Sequence, residues 1–362
     1  MTIHSSLQQM LLERIEREGA ITFAEYMRAA LYEPGYGYYV TGAAKMGWEG
    51  DYFTSSDVSN LFAHCLGRQL QRMWEMLKQP QRFIVIEQGA GRGNLKQGVL
   101  QWARREAPEL SQALEYREED IRAGQDALHS GIEGEKASVF LSNELIDAFP
   151  VHIVQKHDGG LYEIYVIAQD GRLREALGEV SSPEVGNYLD RFDIPWQSFE
   201  DGWRAEINLD ALHWMESVAR RLRKGFVLAI DYGEKARDLY TRERREGTLL
   251  CYFQHSANTR PLWHPGEQDI TAHVNFSALI HEGRRHGLRL HSYTTQREWL
   301  AKMGIAEELE RMRARDFRDM DTQRASDQGQ IALLQWYNLR QRAAALTDPY
   351  GMGNFKVLIL RR

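Results

Sequence analysis

The sequence predicts an α/β fold in which helices cover both faces of a mostly parallel sheet. Near residue 82, the apolar run RFIVIEQG is followed by the helical pattern RGNLKQGVLQWARRE. ALEYRE, a helix through IRAGQDALHS and the apolar run ASVFLSNE continue the alternation, and later strands are predicted at KGFVLAIDYG and FKVLILRR. Apolar strands that alternate with helices are typical of parallel sheets buried on both faces.

A helical cover is predicted ahead of this core, at about residues 1–80. Leu7 and Leu11 recur at helical spacing, and Thr22 with Glu25 forms a capping box that starts a second helix. The next segment, LYEPGYGYYVTGAAKMGWEGDYFTSSDVS, is rich in glycine and aromatic residues and has no helical or strand period. We therefore expect an ordered loop that folds over a site.

The core, at residues 81–362, is predicted to carry insertions. VHIVQKHDGGLYEIYVIAQDGRLREAL contains Asp-Gly turn signals, which predict an antiparallel hairpin or meander in an insertion at about residues 151–205. A second insertion, at about residues 234–274, is polar and aromatic with little periodicity. Helices are predicted at NFSALIHEGRRHG and REWLAKMG, followed by a charged helical segment at about residues 305–345.

Composition excludes several classes of protein. The chain has 362 residues, a net charge of −6 and only two cysteines, Cys65 and Cys251. The acidic balance argues against a general nucleic-acid binder, and isolated cysteines predict reduced, partly buried thiols. No apolar run approaches the ~20 residues that span a bilayer, and the first residues lack a signal-peptide core. We expect a cytoplasmic enzyme without a membrane span, and we make no prediction of its oligomeric state.

A glycine-rich turn follows the first core strand, with the sequence Glu87-Gln88-Gly89-Ala90-Gly91-Arg92-Gly93-Asn94. A dinucleotide fingerprint fails here, because its third glycine would fall on Asn94, and a P-loop fails because no G-K-[ST] follows. The pattern E-x-G-x-G-x-G instead resembles the first motif of S-adenosylmethionine methyltransferases. In those enzymes the loop holds the methionine end of the cofactor and the strand-end acid orients it. A turn that binds nothing is the alternative.

Polar side chains at the ends of the next two strands fit such a cofactor site. ALEYREED offers Glu115, Glu118 and Glu119 as acceptors for the ribose hydroxyls, and we favour Glu118. The third strand ends in Ser142-Asn143, at the carboxyl edge where ligands bind in parallel sheets.

Several further motifs resemble the MidA family of methyltransferases, in the order that the family has them. They are ITFAEYMRAALYEPGYGYY, GDYFTSSDVS, SNELIDAFPVH, AIDYGE, DITAHVNFS, TTQREWLAKMGI and DPYGMGNFKVLIL. The resemblance covers nearly the whole chain and implies a class I S-adenosylmethionine-dependent methyltransferase with a Rossmann-like core. Since the family includes the mitochondrial complex I assembly methyltransferase, the resemblance also implies arginine methylation of a protein substrate, with a respiratory-complex subunit as the candidate.

Carboxylates are the candidate catalytic groups, because they could hold a planar guanidinium in bidentate fashion. Glu144 and Asp147 stand three residues apart and share a face if their turn is helical, although Asp147 could instead cap the turn. Glu206 is a second candidate, or else a first-turn acid of the following helix. His273 could orient the substrate or relay a proton, or it could be structural.

The irregular N-terminal loop is predicted to be a lid over the cofactor. Its residues Asp51, Thr54 and Ser55 could reach the amino-acid end of S-adenosylmethionine, whereas the alternative is a packed aromatic loop without ligand contact. No metal site is expected, because the spacing of the available ligands fits no standard pattern; these are His255, His264, Asp269 and His273.

Two other functions remain open. One is an assembly or scaffold protein that binds a respiratory subunit, although such a protein has no need of an intact E-x-G-x-G-x-G motif. The other is a small-molecule methyltransferase, which the fold alone does not distinguish from a protein methyltransferase.

Overall fold

The computed structural model describes residues 6–41, 60–120, 137–318 and 326–362. Its strands, in chain order, are β1 (Ile21–Thr22), β2 (Phe83–Gln88), β3 (Leu114–Glu119), β4 (Ala137–Asn143), β5 (His152–His157), β6 (Gly160–Gln169), β7 (Arg172–Gly178), β8 (Arg204–Ile207), β9 (Leu222–Asp231), β10 (Gly233–Glu234), β11 (Leu250–Phe253), β12 (Ser256–Asn258), β13 (Asp269–Thr271), β14 (Val274–Asn275), β15 (Arg289–Thr295) and β16 (Lys356–Arg361).

The α-helices among the described residues are α1 (Ser6–Glu18), α2 (Phe23–Tyr32), α3 (Asn60–Met76), α4 (Asn94–Glu106), α5 (Pro108–Ala113), α6 (Pro183–Gly186), α7 (Tyr188–Arg191), α8 (Leu209–Arg221), α9 (Ala236–Leu239), α10 (Phe276–Arg285), α11 (Gln296–Lys302), α12 (Ile305–Asp316) and α13 (Asp327–Thr347). Short 3-10 turns lie at Ile146–Ala148, Trp196–Ser198 and Met352–Asn354. Of the helices described, none combines the length and the apolar character that crossing a membrane requires.

The main sheet has six strands in the order β15-β16-β9-β4-β2-β3. Strands β3, β2, β4 and β9 run parallel, whereas β16 is antiparallel to β9 and β15 is antiparallel to β16. The mostly parallel sheet and its five predicted strands are confirmed. β15 is an additional strand that we did not predict, because its residues are partly exposed and mixed in polarity. The helix predicted through IRAGQDALHS lies outside the described residues.

Two apolar clusters cover the two faces of this sheet. On one face, α3 and α4 pack through Phe62, Leu66, Leu70, Val99 and Trp102. On the other face, α8 and α10 pack through residues that include Met215, Val218, Phe276 and Leu279. Helix α3 lies within the range that we grouped with the N-terminal cover, yet it belongs to this core.

A second, antiparallel sheet contains the predicted insertion. Its strand order is β1-β6-β5-β8, and β7 pairs with the other edge of β6. The predicted meander is thus confirmed, and it gains two short strands from distant parts of the chain. Helices α1 and α2 pack on one face of this sheet, through Leu7, Leu11, Ile153, Ile164 and Val166. The predicted capping box is present, since Thr22 Oγ1 accepts from Glu25 N and Glu25 Oε2 accepts from Thr22 N.

The stretch at 234–274, which has little periodicity in sequence, contains short regular elements. Strands β12, β11 and β13 form a small antiparallel sheet, and β10 pairs in parallel with β14. Strands of two to four residues are too short to leave a periodic pattern in the sequence. Strand β13 lies beside the turn that follows β4, because the Ala272 N–H donates to the carbonyl of Asp147.

Candidate active site

The glycine-rich turn joins the carboxyl end of β2 to the first residue of α4. Gly89, Gly91 and Gly93 all have positive φ, at 74°, 55° and 73°. A Cβ on Gly93 would lie 2.5 Å from Glu118 Oε1, and one on Gly89 would lie 2.8 Å from Leu145 Cδ1. The left-handed backbone therefore favours glycine at all three positions, and neighbouring side chains that approach closely favour it further at Gly89 and Gly93.

Glu87 ends β2 inside the protein, at the base of this turn. Its side chain is buried, and Oε2 accepts a 2.9 Å hydrogen bond from the hydroxyl of Tyr116 on β3. Burial raises the pKa of the Glu87 carboxyl to about 7, and the bond from Tyr116 opposes that shift. Glu87 is thus a carboxylate in a poorly hydrated position, where a cationic group would favour its charged form.

The three acids of β3 point to different partners. Glu115 pairs with Arg82 and Arg117 at the start of the strand, away from the glycine turn. Glu119 forms an ion pair with the buried Arg221. Glu118 pairs with Lys96 of α4, and its Oε1 is the carboxylate oxygen that approaches Gly93, whereas Glu119 contacts the start of the turn through its carbonyl, which accepts from Gly89 N.

Asn94 is the first residue of α4. The residue before it, Gly93, has a left-handed backbone and is the N-cap of the helix, without a side-chain hydrogen bond. Across the turn, Ser142 and Asn143 end β4. Both side chains are buried, and Ser142 Oγ and Asn143 Oδ1 have no hydrogen-bond partner among the described residues. Buried polar atoms of this kind need a partner, so they fit the wall of a polar ligand site.

The turn after β4 carries Glu144 and Asp147. Glu144 has a left-handed backbone, with φ of 51°, and the 3-10 turn begins only at Ile146. The condition for a shared helical face of these two acids is therefore not met, since the turn is not helical at Glu144. The turn still lies against the glycine loop, through the contact of Leu145 with Gly89.

Four acids lie on this turn or near it, since the charges of Asp147 and Glu144 act on Asp231 and those of Asp269, Asp147 and Glu144 act on Tyr252. Asp147, Asp231 and Asp269 are buried, and Glu144 is half-buried. Burial raises the pKa of Asp231 well above its usual range, and the charges of Asp147 and Glu144 raise it further. Burial also raises the pKa of Asp147 to about 6. Within the described residues, Asp147 Oδ1 has no hydrogen-bond partner.

Tyrosines surround these acids, and the sequence reasoning missed most of them. The Tyr39 hydroxyl donates to Asp269 Oδ1 at 2.7 Å, the Tyr32 hydroxyl donates to the Ala148 carbonyl at 2.8 Å, and the two rings stack. Burial raises the pKa of Tyr232 and Tyr252, and the charge of Asp147 adds to both shifts. Their sequence signal was the aromatic richness of the segments around them, but only tertiary packing brings them together.

Glu206 and His273 lie at one side of this cluster. Glu206 is on β8 and not in a helix, and its two oxygens accept from Thr248 N, Thr248 Oγ1 and Leu249 N. Its contacts therefore anchor a loop. The His273 ring packs edge-on against Tyr232, with ring centroids 5.1 Å apart. Burial and the neighbouring Arg244 and Lys356 lower the pKa of His273 to about 4, so the ring is neutral near pH 7.

The lid residues Asp51, Thr54 and Ser55 lie outside the described residues. Both cysteines, Cys65 and Cys251, are free and buried. In the part of the chain that the structure describes, one group has metal-ligand geometry, the exposed set His157, Asp158 and Asp201 of the second sheet. This group shares no residue with the candidate ligands from the sequence, which are His255, His264, Asp269 and His273.

The fold and these contacts define an α/β protein with a glycine-rich turn at the carboxyl ends of neighbouring parallel strands, where ligands bind in such folds, beside a cluster of acids. Residues 65–294 match a family described as "Putative S-adenosyl-L-methionine-dependent methyltransferase". The chain belongs to this family, and S-adenosylmethionine is its cofactor. The positive-φ glycines and the unpaired buried atoms of Ser142 and Asn143 fit such a group.

Relatives and solved structures agree with this family. The chain is 27% identical to the mitochondrial protein arginine methyltransferase NDUFAF7 homolog of Drosophila melanogaster, over 78% of this chain and 71% of the relative. It is also 27% identical to the Mus musculus protein arginine methyltransferase NDUFAF7, over 82% and 73%. A Burkholderia thailandensis protein described as a "likely methyl transferase", bound to S-adenosyl-homocysteine, superposes with a TM-score of 0.81 at 28% identity, covering 99% of this chain and 92% of that chain.

Proposed function

We propose that the chain is a protein-arginine N-methyltransferase with a class I, Rossmann-like core. The observation that carries this proposal is the buried cluster of Glu144, Asp147, Asp231 and Asp269 next to the glycine turn. Several acids buried at one place are unfavourable unless a cation joins them.

We propose that the glycine turn binds the methionine end of the cofactor, through Gly89, Gly91, Gly93 and Asn94. Glu87, with its raised pKa, would pair with the ammonium group. Bound there, S-adenosylmethionine supplies an electrophilic methyl group on a sulfonium. The chain must then align the acceptor with that methyl and exclude water.

On the other side of the turn, Glu118 would accept from the ribose hydroxyls. Its position beside Gly93 supports it over the other two acids of β3. Asn143 would complete the contacts, because its Oδ1 is buried and unpaired among the described residues.

An arginine side chain suits the acidic cluster for two reasons. Its guanidinium is planar and offers five N–H donors, so it can donate paired hydrogen bonds to a carboxylate such as that of Glu144 or Asp147. Its cation also stacks on aromatic faces, and Tyr32, Tyr39, Tyr232 and Tyr252 surround the acids. The names of the two relatives, which are protein arginine methyltransferases, support the same substrate class.

In this proposal Glu144 and Asp147 hold the guanidinium. The attacking nitrogen must lose a proton as its bond to the methyl carbon forms, and Asp147 is the acceptor that we propose. Its carboxylate lies close to the Tyr232 hydroxyl, and its pKa of about 6 suits this role. His273, neutral near pH 7, would pack against Tyr232 and line the site without adding positive charge.

The direct test is incubation of the protein with labelled S-adenosylmethionine and a bacterial lysate, followed by mass spectrometry of the labelled products. We expect methyl groups on arginine side chains of a protein, and the first candidate to examine is a respiratory-complex subunit. Glu144→Gln should abolish the label while cofactor binding persists. Glu282→Gln is the matched control, because Glu282 is a buried acid of α10 engaged by Arg285 and His286.

Label found only in small molecules would contradict the protein substrate and favour a small-molecule methyltransferase. Capture of a respiratory subunit without any transfer of label, despite normal cofactor binding, would favour the assembly role. Normal labelling by Glu144→Gln would contradict the guanidinium contact of Glu144.

A further inference from the structure

Asp231 is the last residue of β9. Its carboxylate is fully buried and accepts hydrogen bonds from backbone N–H groups. Its Oδ2 accepts from Leu145 N at 3.2 Å and from Ile146 N at 2.9 Å. Its Oδ1 accepts from Tyr232 N at 2.9 Å. The Asp231 side chain thus links the end of β9 to the turn after β4. Ile146 in that turn is 85 residues from Asp231 in the sequence.

The turn that Asp231 holds contains a strained residue. Glu144 has a left-handed backbone, with φ of 51°, which is a strained region for a residue with a Cβ. The Glu144 N–H donates to the Ile230 carbonyl at 2.8 Å. The backbone just before Asp231 and the Asp231 side chain therefore both hold this turn. Such a conformation persists only where surrounding contacts impose it.

We propose that Asp231 is a positioning residue for methyl transfer, which holds residues 144–147 in the one backbone conformation that presents Glu144 and Asp147 together to the substrate. This inference rests on the proposed function. The turn has further supports on its other side, where Ala272 N donates to the Asp147 carbonyl and Tyr32 donates to the Ala148 carbonyl. The Ile146 carbonyl accepts from Asn208 Nδ2 at 3.2 Å, whereas the N–H groups of Leu145 and Ile146 both donate to Asp231, so Asp231 fixes the direction of these two N–H groups.

The charge of Asp231 is costly where it stands, because it is buried close to Asp147 and Glu144. If packing alone mattered, an apolar side chain would avoid that cost. The two oxygens, however, accept from three backbone N–H groups at once, which an apolar residue leaves unpaired and an amide satisfies only in part. The carboxylate therefore serves the geometry of the turn.

Two variants separate this role from a general contribution to folding. Asp231→Asn keeps one oxygen for Leu145 and Ile146 but turns an N–H₂ group toward Tyr232 N. Asp231→Ala removes all three acceptor contacts. The matched control is Glu163→Gln, since Glu163 is a fully buried carboxylate of β6 that also accepts from a backbone N–H, that of Ser181.

The measurements are amide hydrogen exchange of the peptide spanning 141–148, affinity for S-adenosyl-homocysteine, and methyl-transfer kinetics. Asp231→Ala should speed exchange at Leu145 and Ile146, lower kcat on the order of 100-fold as expected for misplaced reacting groups, and leave cofactor affinity within about threefold. Asp231→Asn should fall between Asp231→Ala and the wild type. Glu163→Gln should match the wild type in exchange and kcat.

Hydrogen exchange needs no methyl acceptor, so it reports on the turn even if the wild type methylates no arginine. Slow exchange at Leu145 and Ile146 in a folded Asp231→Ala or Asp231→Asn would overturn the proposal. It would also be overturned if kcat fell only in proportion to the unfolded fraction, or if Glu163→Gln lowered kcat equally.

Discussion

The hydroxyl of Tyr116 donates a 2.9 Å hydrogen bond to the Glu87 carboxylate, across the two neighbouring parallel strands β3 and β2. This bond favours the charged form of a buried acid whose pKa is about 7. A small change in the bond therefore changes how much of Glu87 is ionised near neutral pH.

We expect cofactor affinity to rise with pH through about 7, because a proton and the cofactor ammonium compete for Glu87. Tyr116→Phe removes the opposing hydrogen bond, so the midpoint should shift to higher pH. A hydrogen bond to a charged group contributes about 1.5–3 kcal/mol, which corresponds to roughly one to two pH units. Calorimetric titration with S-adenosylmethionine from roughly pH 5.5 to 9.5, a range that contains both expected midpoints, measures the shift.

Tyr26→Phe is the control, since Tyr26 is also fully buried but donates to the carbonyl of Pro261. It should leave the pH dependence of binding unchanged. An identical midpoint in Tyr116→Phe and wild type would contradict the role of Glu87 in cofactor binding.

Gly93→Ala should weaken S-adenosylmethionine binding at least tenfold, or about 1.4 kcal/mol. The added Cβ meets Glu118 and is strained by the left-handed backbone. Gly159→Ala has the same backbone strain, at φ of 76°, but its Cβ meets nothing within 4 Å in the β5–β6 turn. It should cost about 1 kcal/mol in stability and leave cofactor affinity unchanged. Equal loss of binding in both variants would mean that backbone strain, and not the contact with Glu118, weakens cofactor binding.

Local patterns predicted the elements that local chemistry specifies. The capping box of Thr22 and Glu25 and the apolar runs of the main sheet were recognisable because each depends on neighbours within a few residues. Helix α3 had a similar signal, with Leu66, Leu70 and Met73 at helical spacing, and we left it unassigned.

The rest of the site depends on contacts between residues far apart in sequence. Tyr39 meets Asp269 across 230 residues, and Ile21 pairs with Val166 in the second sheet. The backbone acceptor role of Asp231 has no local sequence pattern either, because its donors lie on another turn. The sequence could therefore identify the acids of the site, but not which of them hold the substrate and which hold the backbone.

Glu206 illustrates that distinction, and its substitution is a third test. Glu206→Gln keeps one oxygen for the N–H groups of Thr248 and Leu249 but replaces the other, which accepts from Thr248 N and Oγ1, with an N–H₂ group, so unfolding should require about 1–3 kcal/mol less free energy. Denaturant unfolding measures this loss, and cofactor affinity of the folded protein should be unchanged. Glu243→Gln removes an exposed acid of the same loop and should leave stability unchanged. If Glu206→Gln had normal stability but lost methyl transfer, Glu206 would be a substrate contact and not a support of the loop.

The pH dependence of methyl transfer distinguishes Asp147 from His273. Asp147 must be ionised to hold a guanidinium, so kcat/KM should rise with pH and level off above about 6. Asp147→Asn should remove this rise and lower kcat/KM on the order of 100-fold, because the cation loses a buried charged partner. His273→Gln should leave the midpoint near 6, since the pKa of His273 is about 4 and the ring is already neutral there. Loss of the rise in His273→Gln but not in Asp147→Asn would assign the titrating group to the histidine.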